Sequence, residues 1–224
     1  MLRRTALGLC CCLALAFDLT PALGQNFFLQ QSRNNLKQLV LAMHNYHQVN
    51  GRFPPAAVLG PDGKTLHSWR VALLPFLDKQ ALYEQYKQNE PWDSPHNKAL
   101  LAEMPDVFRY PSEDSSTTDS SYYVLVGPGT AFEGKKGTKI EDFTDGTSNT
   151  ILIVEAKRNI PWTKPADISF DPKKPVPKLG GFDGVHFLVG GADGAIHRLN
   201  QGVDPQTLKD LIQRNDGHQV AWPQ

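Results

Sequence analysis

Apolar positions along the chain fall into two textures, helical first and extended later. From Phe27, the residues Leu29, Leu36, Leu39, Val40, Met43 and Tyr46 recur at helical steps, with Asn35, Lys37, Gln38 and Asn45 between them. That spacing predicts an amphipathic helix of about five or six turns. Asn50-Gly51 supplies its stop, and Pro54-Pro55 prevents resumption. One face of this helix must therefore bury against something downstream. Trp69, Val71, Leu73, Leu74, Phe76 and Leu77 follow, then Asp78 as the expected N-cap of a short helix holding Leu82 and Tyr86. Ser94-Pro95 repeats the cap-then-proline opening before Leu100, Leu101 and Met104.

Beyond Pro105 the runs become short and β-branched or aromatic: Val107 to Arg109, Tyr122 to Val126, Ile151 to Val154 and Val185 to Val189. Clusters of Gly, Pro, Asp and Ser separate them, as between strands of one sheet. Asp193-Gly194, ahead of Ala195-Ile196-His197, predicts a hairpin. Asn159 to Lys178 holds five prolines and almost no periodicity, and reads as a long excursion between strands. The last element is a helix capped by Asp204, with Pro205 in its first turn, Leu208, Leu211 and Ile212 on its core face, and Gly217 closing it. Helices followed by strands predict an α+β fold with an antiparallel sheet.

The N-terminus changes the picture of where this domain works. Arg3 and Arg4 precede an apolar run from Ala6 to Phe17, the order of a secretory signal. That run is shorter than the roughly 20 residues needed to span a bilayer, so a permanent anchor is the weaker reading. Ala22-Leu23-Gly24 fits a cleavage site, giving residues 1–24 as signal peptide and residues 25–224 as one domain. Cys10, Cys11 and Cys12 all lie within that signal, so the mature chain would have no disulfides and no thiol chemistry. The expected location is exported: periplasmic, cell-surface or extracellular. Charge is balanced, 23 basic against 23 acidic residues, which argues against nucleic acid as a partner.

Candidate chemistry is sparse. Gly129 to Lys136 has the spacing of a phosphate-cradling loop, but Lys136 stands where a Mg²⁺-binding hydroxyl is required, so it reads as a glycine-rich turn. His44, His47 and His67 lack a local thiol or carboxylate to complete a zinc set. Ser148 lies outside any nucleophile elbow, in the turn composition Asp145-Gly146-Thr147-Ser148-Asn149. Asp142 and Asp145 lack the alternating oxygen ligands of a calcium loop. No cofactor is expected. Trp162, in a proline-rich context, has two readings: a stacking surface for a ligand, or an anchor pinning its loop.

Several strings together resemble a known family. Asn34-Asn35-Leu36-Lys37-Gln38, His44-Asn45-Tyr46-His47, Gly51-Arg52-Phe53-Pro54-Pro55-Ala56, Ser68-Trp69-Arg70 with Leu74-Pro75, Phe108-Arg109-Tyr110-Pro111-Ser112, Asp145 to Thr150, Pro161 to Pro165 and Lys178 to Phe182 occur in the order of the pilin-like "domain of unknown function 1559" family, also filed as bacterial solute-binding family 10. The resemblance implies a pilin-like fold: a long N-terminal helix packed on an antiparallel sheet, with short helices and a long Pro-rich loop. It also implies an exported, non-enzymatic role. Family members usually begin with a Gly-Phe-Thr-Leu-x-Glu leader and about twenty apolar residues; this sequence has a short signal instead. Asp183 occupies the histidine position of the family's His-x9-Asp-Gly signature, ahead of Asp193-Gly194, and Tyr110 replaces its usual cysteine. No catalytic residue carries over.

The expected function is a pseudopilin-like structural or interaction protein of the cell envelope, partnered by a protein of the envelope or export machinery. The alternative is a solute- or glycan-binding module. The residues expected to contact a ligand or partner are Trp69, Arg70, Trp162 and Asp183.

Overall fold

A computed structural model describes residues 21–223. The charged and apolar part of the expected signal, residues 1–20, lies outside the described residues. α1 spans Pro21–Asn50, so it extends N-terminal of Phe27, and the expected cleavage point after Gly24 falls within its first turn. At about 45 Å it is the longest described element. Among the described residues, no helix is long and apolar enough to cross a membrane.

A hairpin of β1 (Ala57–Leu59) and β2 (Thr65–Ser68) follows, then α2 (Trp69–Ala72), α3 (Gln80–Gln85) and α4 (Pro95–Ala99). Ser94 caps α4 as expected, accepting from the Asn97 amide. Asp78 does not cap α3. It sits in a left-handed conformation at φ 56° and ends the preceding 3₁₀ turn, leaving Lys79 at the N-cap position with no side-chain bond.

The main sheet has four strands in the order β3 (Tyr122–Tyr123), β5 (Ile151–Glu155), β7 (His186–Gly191) and β8 (Ile196–Asn200), all antiparallel. α1 crosses one face and α5 (Pro205–Ile212) backs the other, which is why β5 is buried at every position. The crossing is close: a Cβ on Gly190 would stand 2.5 Å from Val40 Cγ2, so only glycine lets the helix lie this near β7. The expected α+β architecture, helix on antiparallel sheet, is present.

Two segments depart from the periodicity reading. Val107 to Arg109 is not a strand: Asp106–Phe108 forms a 3₁₀ turn opened by Pro105, tied by the Arg109–Asp106 ion pair, and it drives Phe108 fully into the core. Tyr122 to Val126 is not one strand but two. The Val124 amide donates to Asp167 Oδ1 at 3.1 Å instead of to a ladder, and beyond it β4 (Leu125–Val126) pairs in parallel with β6 (Ile168–Ser169). The proline-rich excursion thus contributes a strand of its own. At the C-terminus Asp204 caps α5 as expected, but the helix ends at Ile212, well before Gly217.

Candidate functional site

Three of the four residues expected to touch a ligand meet inside the protein. Ser68 starts α2, its hydroxyl accepting from the Arg70 amide and donating to the Trp162 carbonyl. Trp69, Arg70 and Trp162 are thereby drawn together and are fully buried. The Trp162 ring stacks on Phe108 with centroids 5.8 Å apart, and Trp69 meets Phe108 edge-on. Trp162 Nε1 donates to the Leu101 carbonyl at 3.1 Å. Contact with an external ligand would require these side chains to leave the core, so the structure corrects that expectation: Trp162 is an anchor that pins the proline-rich segment.

Arg70 holds the centre of this cluster. Its Nη2 lies 2.9 Å from Asp167 Oδ1, with both side chains essentially without solvent exposure. Nε donates to Ser120 Oγ and the Tyr122 carbonyl, and the guanidinium lies 4.5 Å from the Trp69 ring centroid and 4.8 Å from that of Tyr123. Asp167 also accepts from Trp69 Nε1. Burial is the largest influence on the Asp167 carboxyl and raises its pKa, opposed by Arg70, the Val124 amide and Trp69. The arrangement is a charge-paired internal brace joining α2, β3 and the proline-rich segment.

Asp183 lies elsewhere, in a cleft of about 320 Å³ at the base of the exposed end of α1. Phe28 and Leu29 of α1 form one side; Tyr110, Phe182, Asp183 and Arg198 form the other. The Tyr110 and Phe182 rings stack 4.1 Å apart. Asp183 Oδ1 accepts from the Val185 and His186 amides, and Arg198 Nη2 lies 2.7 Å from His186 Nδ1. The two positions where this sequence departs from the family strings therefore face one cleft. Behind it, Glu155 is buried between α1 and the sheet, hydrogen-bonded to Ser32 and accepting from the Leu188 amide at 2.7 Å. Desolvation there pushes its carboxyl up to about 7, with Asp183 adding a smaller repulsion.

A second concavity, about 460 Å³, lies at the other end of α1. Tyr46 and Asn50 of α1, the β1–β2 hairpin, Phe76, Tyr83 of α3 and the turn at Gln88-Asn89 enclose it. Nothing in the sequence singled it out, because its walls come from five separate segments.

The other candidate residues serve the backbone and the core. His44 and His47 pack on Phe53, and His67 meets Tyr86 edge-on. The Asp142 carboxylate accepts from the Lys139 amide; that of Asp145 accepts from the Asp216 and Gly217 amides and ties down the C-terminal tail. Ser148 accepts through its carbonyl from Trp222 Nε1. The glycine-rich turn tucks Ala131 and Phe132 into the core.

No curated protein and no solved structure matches this chain. Residues 30–135 match the model of the family described as "Protein of unknown function (DUF1559)", SBP_bac_10, and over that stretch the resemblance read from the sequence is borne out.

Proposed function

We propose that this chain is an exported, non-enzymatic, pilin-like interaction protein of the cell envelope that docks a protein partner at the exposed end of α1. One observation carries this reading. Among the described side chains of α1, Ser32 is the first that is fully buried; ahead of it lies an extension, residues 26–31, on which Leu29 packs at the edge of the core and Asn26, Phe27, Gln30 and Gln31 are exposed. Phe27 on that extension is 63% exposed, and Val185, two residues from Asp183, is 52% exposed. In the cleft beside this end, Phe28, Leu29 and the Tyr110–Phe182 stack are aromatic and aliphatic anchors ringed by Asp183 and Arg198, the composition of an interface centre with a polar rim. Asp183, the fourth residue expected to contact a partner, lies within this surface.

The test is site-specific photo-crosslinking in the native host, with a benzophenone side chain at position 27, 185 or 41. Leu41, 60% exposed on the outer face of the same helix, is the control. Adducts of one defined mass from positions 27 and 185, absent from 41, support the reading; equal labelling from all three, or none, overturns it.

A further inference from the structure

The groove at the C-terminal end of α1 has a chemistry that the docking reading does not use. Three aromatic side chains, Tyr46, Phe76 and Tyr83, line it half-exposed, and Tyr46 and Phe76 meet edge-on with centroids 5.7 Å apart. Three carboxamides, Asn50, Gln88 and Asn89, stand among them. Among the described residues no Asp, Glu, Lys or Arg lines the groove, and its one imidazole, His67, has its pKa lowered by burial.

The amide-bearing wall is fixed in place. Asn97, fully buried on α4, accepts from the Lys87 amide and donates to the carbonyls of Lys87, Glu90 and Pro91, so the turn holding Gln88 and Asn89 is bolted to the domain. The opposite wall is the β1–β2 hairpin, paired Val58 to His67. Gln88 Nε2 reaches long contacts, 3.4 and 3.5 Å, to the Tyr83 and Tyr86 carbonyls, and its carboxamide stands beside the His67 ring at the groove wall.

From this lining we infer that the groove is a binding site for a neutral saccharide of about two sugar rings. An ionised ligand would enter without a counter-charge, at a desolvation cost that nothing in the lining offsets. A purely apolar ligand would strip water from the three carboxamides without replacing their hydrogen bonds. A pyranose satisfies both demands: its C–H faces lie on aromatic rings, and its hydroxyls donate to and accept from amides. A volume of about 460 Å³ falls within the range of small-molecule sites. Tyr46 to Asn89 also lie wholly inside the family-matched stretch.

The experiment is amide and side-chain NMR titration of the full chain with cellobiose, maltose and N,N′-diacetylchitobiose. Cellobiuronic acid serves as the charged counterpart and 1-decanol as the apolar one. The expected result is saturable shifts confined to Asn50, Gln88, Asn89 and their neighbours with at least one neutral disaccharide, and about tenfold weaker binding of the uronic acid. Tyr83→Ala and Asn89→Ala should each weaken binding about tenfold. Both positions are exposed or half-exposed, and an unchanged spectrum elsewhere confirms that each variant is folded. No shift with any of the three sugars, shifts away from the groove, or saturable binding of decanol alone overturns the assignment. Position 27 variants leave this titration untouched, so failure here and failure of the docking reading are separate results.

Discussion

Asp167 and Glu155 both carry buried carboxyls, one bracing α2 and the proline-rich segment and one between α1 and the sheet, yet their surroundings differ in one respect. Asp167 faces a guanidinium at 2.9 Å and further N–H donors. Glu155 faces a serine hydroxyl, which in turn meets Tyr122, and one amide. The first is matched by an opposite charge; the second is matched by dipoles alone. Burial raises the pKa of both: that of Glu155 to about 7, opposed only by the Ser32 hydroxyl and the Leu188 amide, and that of Asp167 against the opposing pull of the Arg70 charge and its N–H donors. The difference between the two sites is the cation that stands beside Asp167 and has no counterpart beside Glu155.

The largest expected effect breaks the matched side. Asp167→Ala leaves the Arg70 guanidinium buried and unpaired, and denaturant titration should show a loss of about 3–5 kcal/mol. Replacing both partners, as Arg70→Met with Asp167→Leu, should recover most of that loss. A double variant as unstable as Asp167→Ala would mean the pair does more than cancel its own burial.

The next effect reads the unmatched side. Because the folded state raises the Glu155 pKa above its ordinary 4.5, folding favours the protonated form. Its contribution to stability is fully present below about pH 4.5, declines as pH rises toward about 7, and levels off above that, a fall of about 3 kcal/mol. Glu155→Gln should remove this slope and leave the chain more stable than the parent at pH 8. A pH profile unchanged by the substitution would mean that Glu155 is ionised at little cost.

Smaller changes sharpen the contrast. Ser32→Ala removes a donor to Glu155 and should cost on the order of 1 kcal/mol at pH 8, where the carboxylate needs it, and less at pH 5. Tyr122→Phe deletes the hydroxyl behind Ser32 while keeping the carbonyl that Arg70 uses, and should cost about 0.5–1.5 kcal/mol without disturbing the Asp167 pair. Thermal melts at the two pH values separate these outcomes.

Much of the scaffold could be read along the chain because it rests on local signals. The apolar stripe of α1, the Asp193-Gly194 hairpin and the Asp204 cap all act over a few residues, and all three occur where expected. Errors arose where a distant side chain overrode local pattern. Asp167 claims the Val124 amide from 43 residues away and splits a continuous β-branched run into two strands. Pro105 turns Val107-Phe108 into a 3₁₀ turn whose value lies in delivering Phe108 between Trp69 and Trp162. Sites suffered more than elements. The tryptophans carry aromatic area but no label for burial, and the saccharide groove is assembled from segments that are individually unremarkable. Asp183 was the one site residue found at the surface, through its position in a family string and not through any chemistry of its own.

The span of these internal bonds also sets an order of events. Ser32 meets Glu155 across 123 residues, and Arg70 meets Asp167 across 97. During synthesis the apolar face of α1 leaves the ribosome long before β5 and β7 exist to receive it. Contacts of such separation close slowly, because loop entropy must be met before they contribute. The polypeptide therefore spends most of its birth as an unfinished chain, and its native core is sealed only when nearly the last strand has arrived.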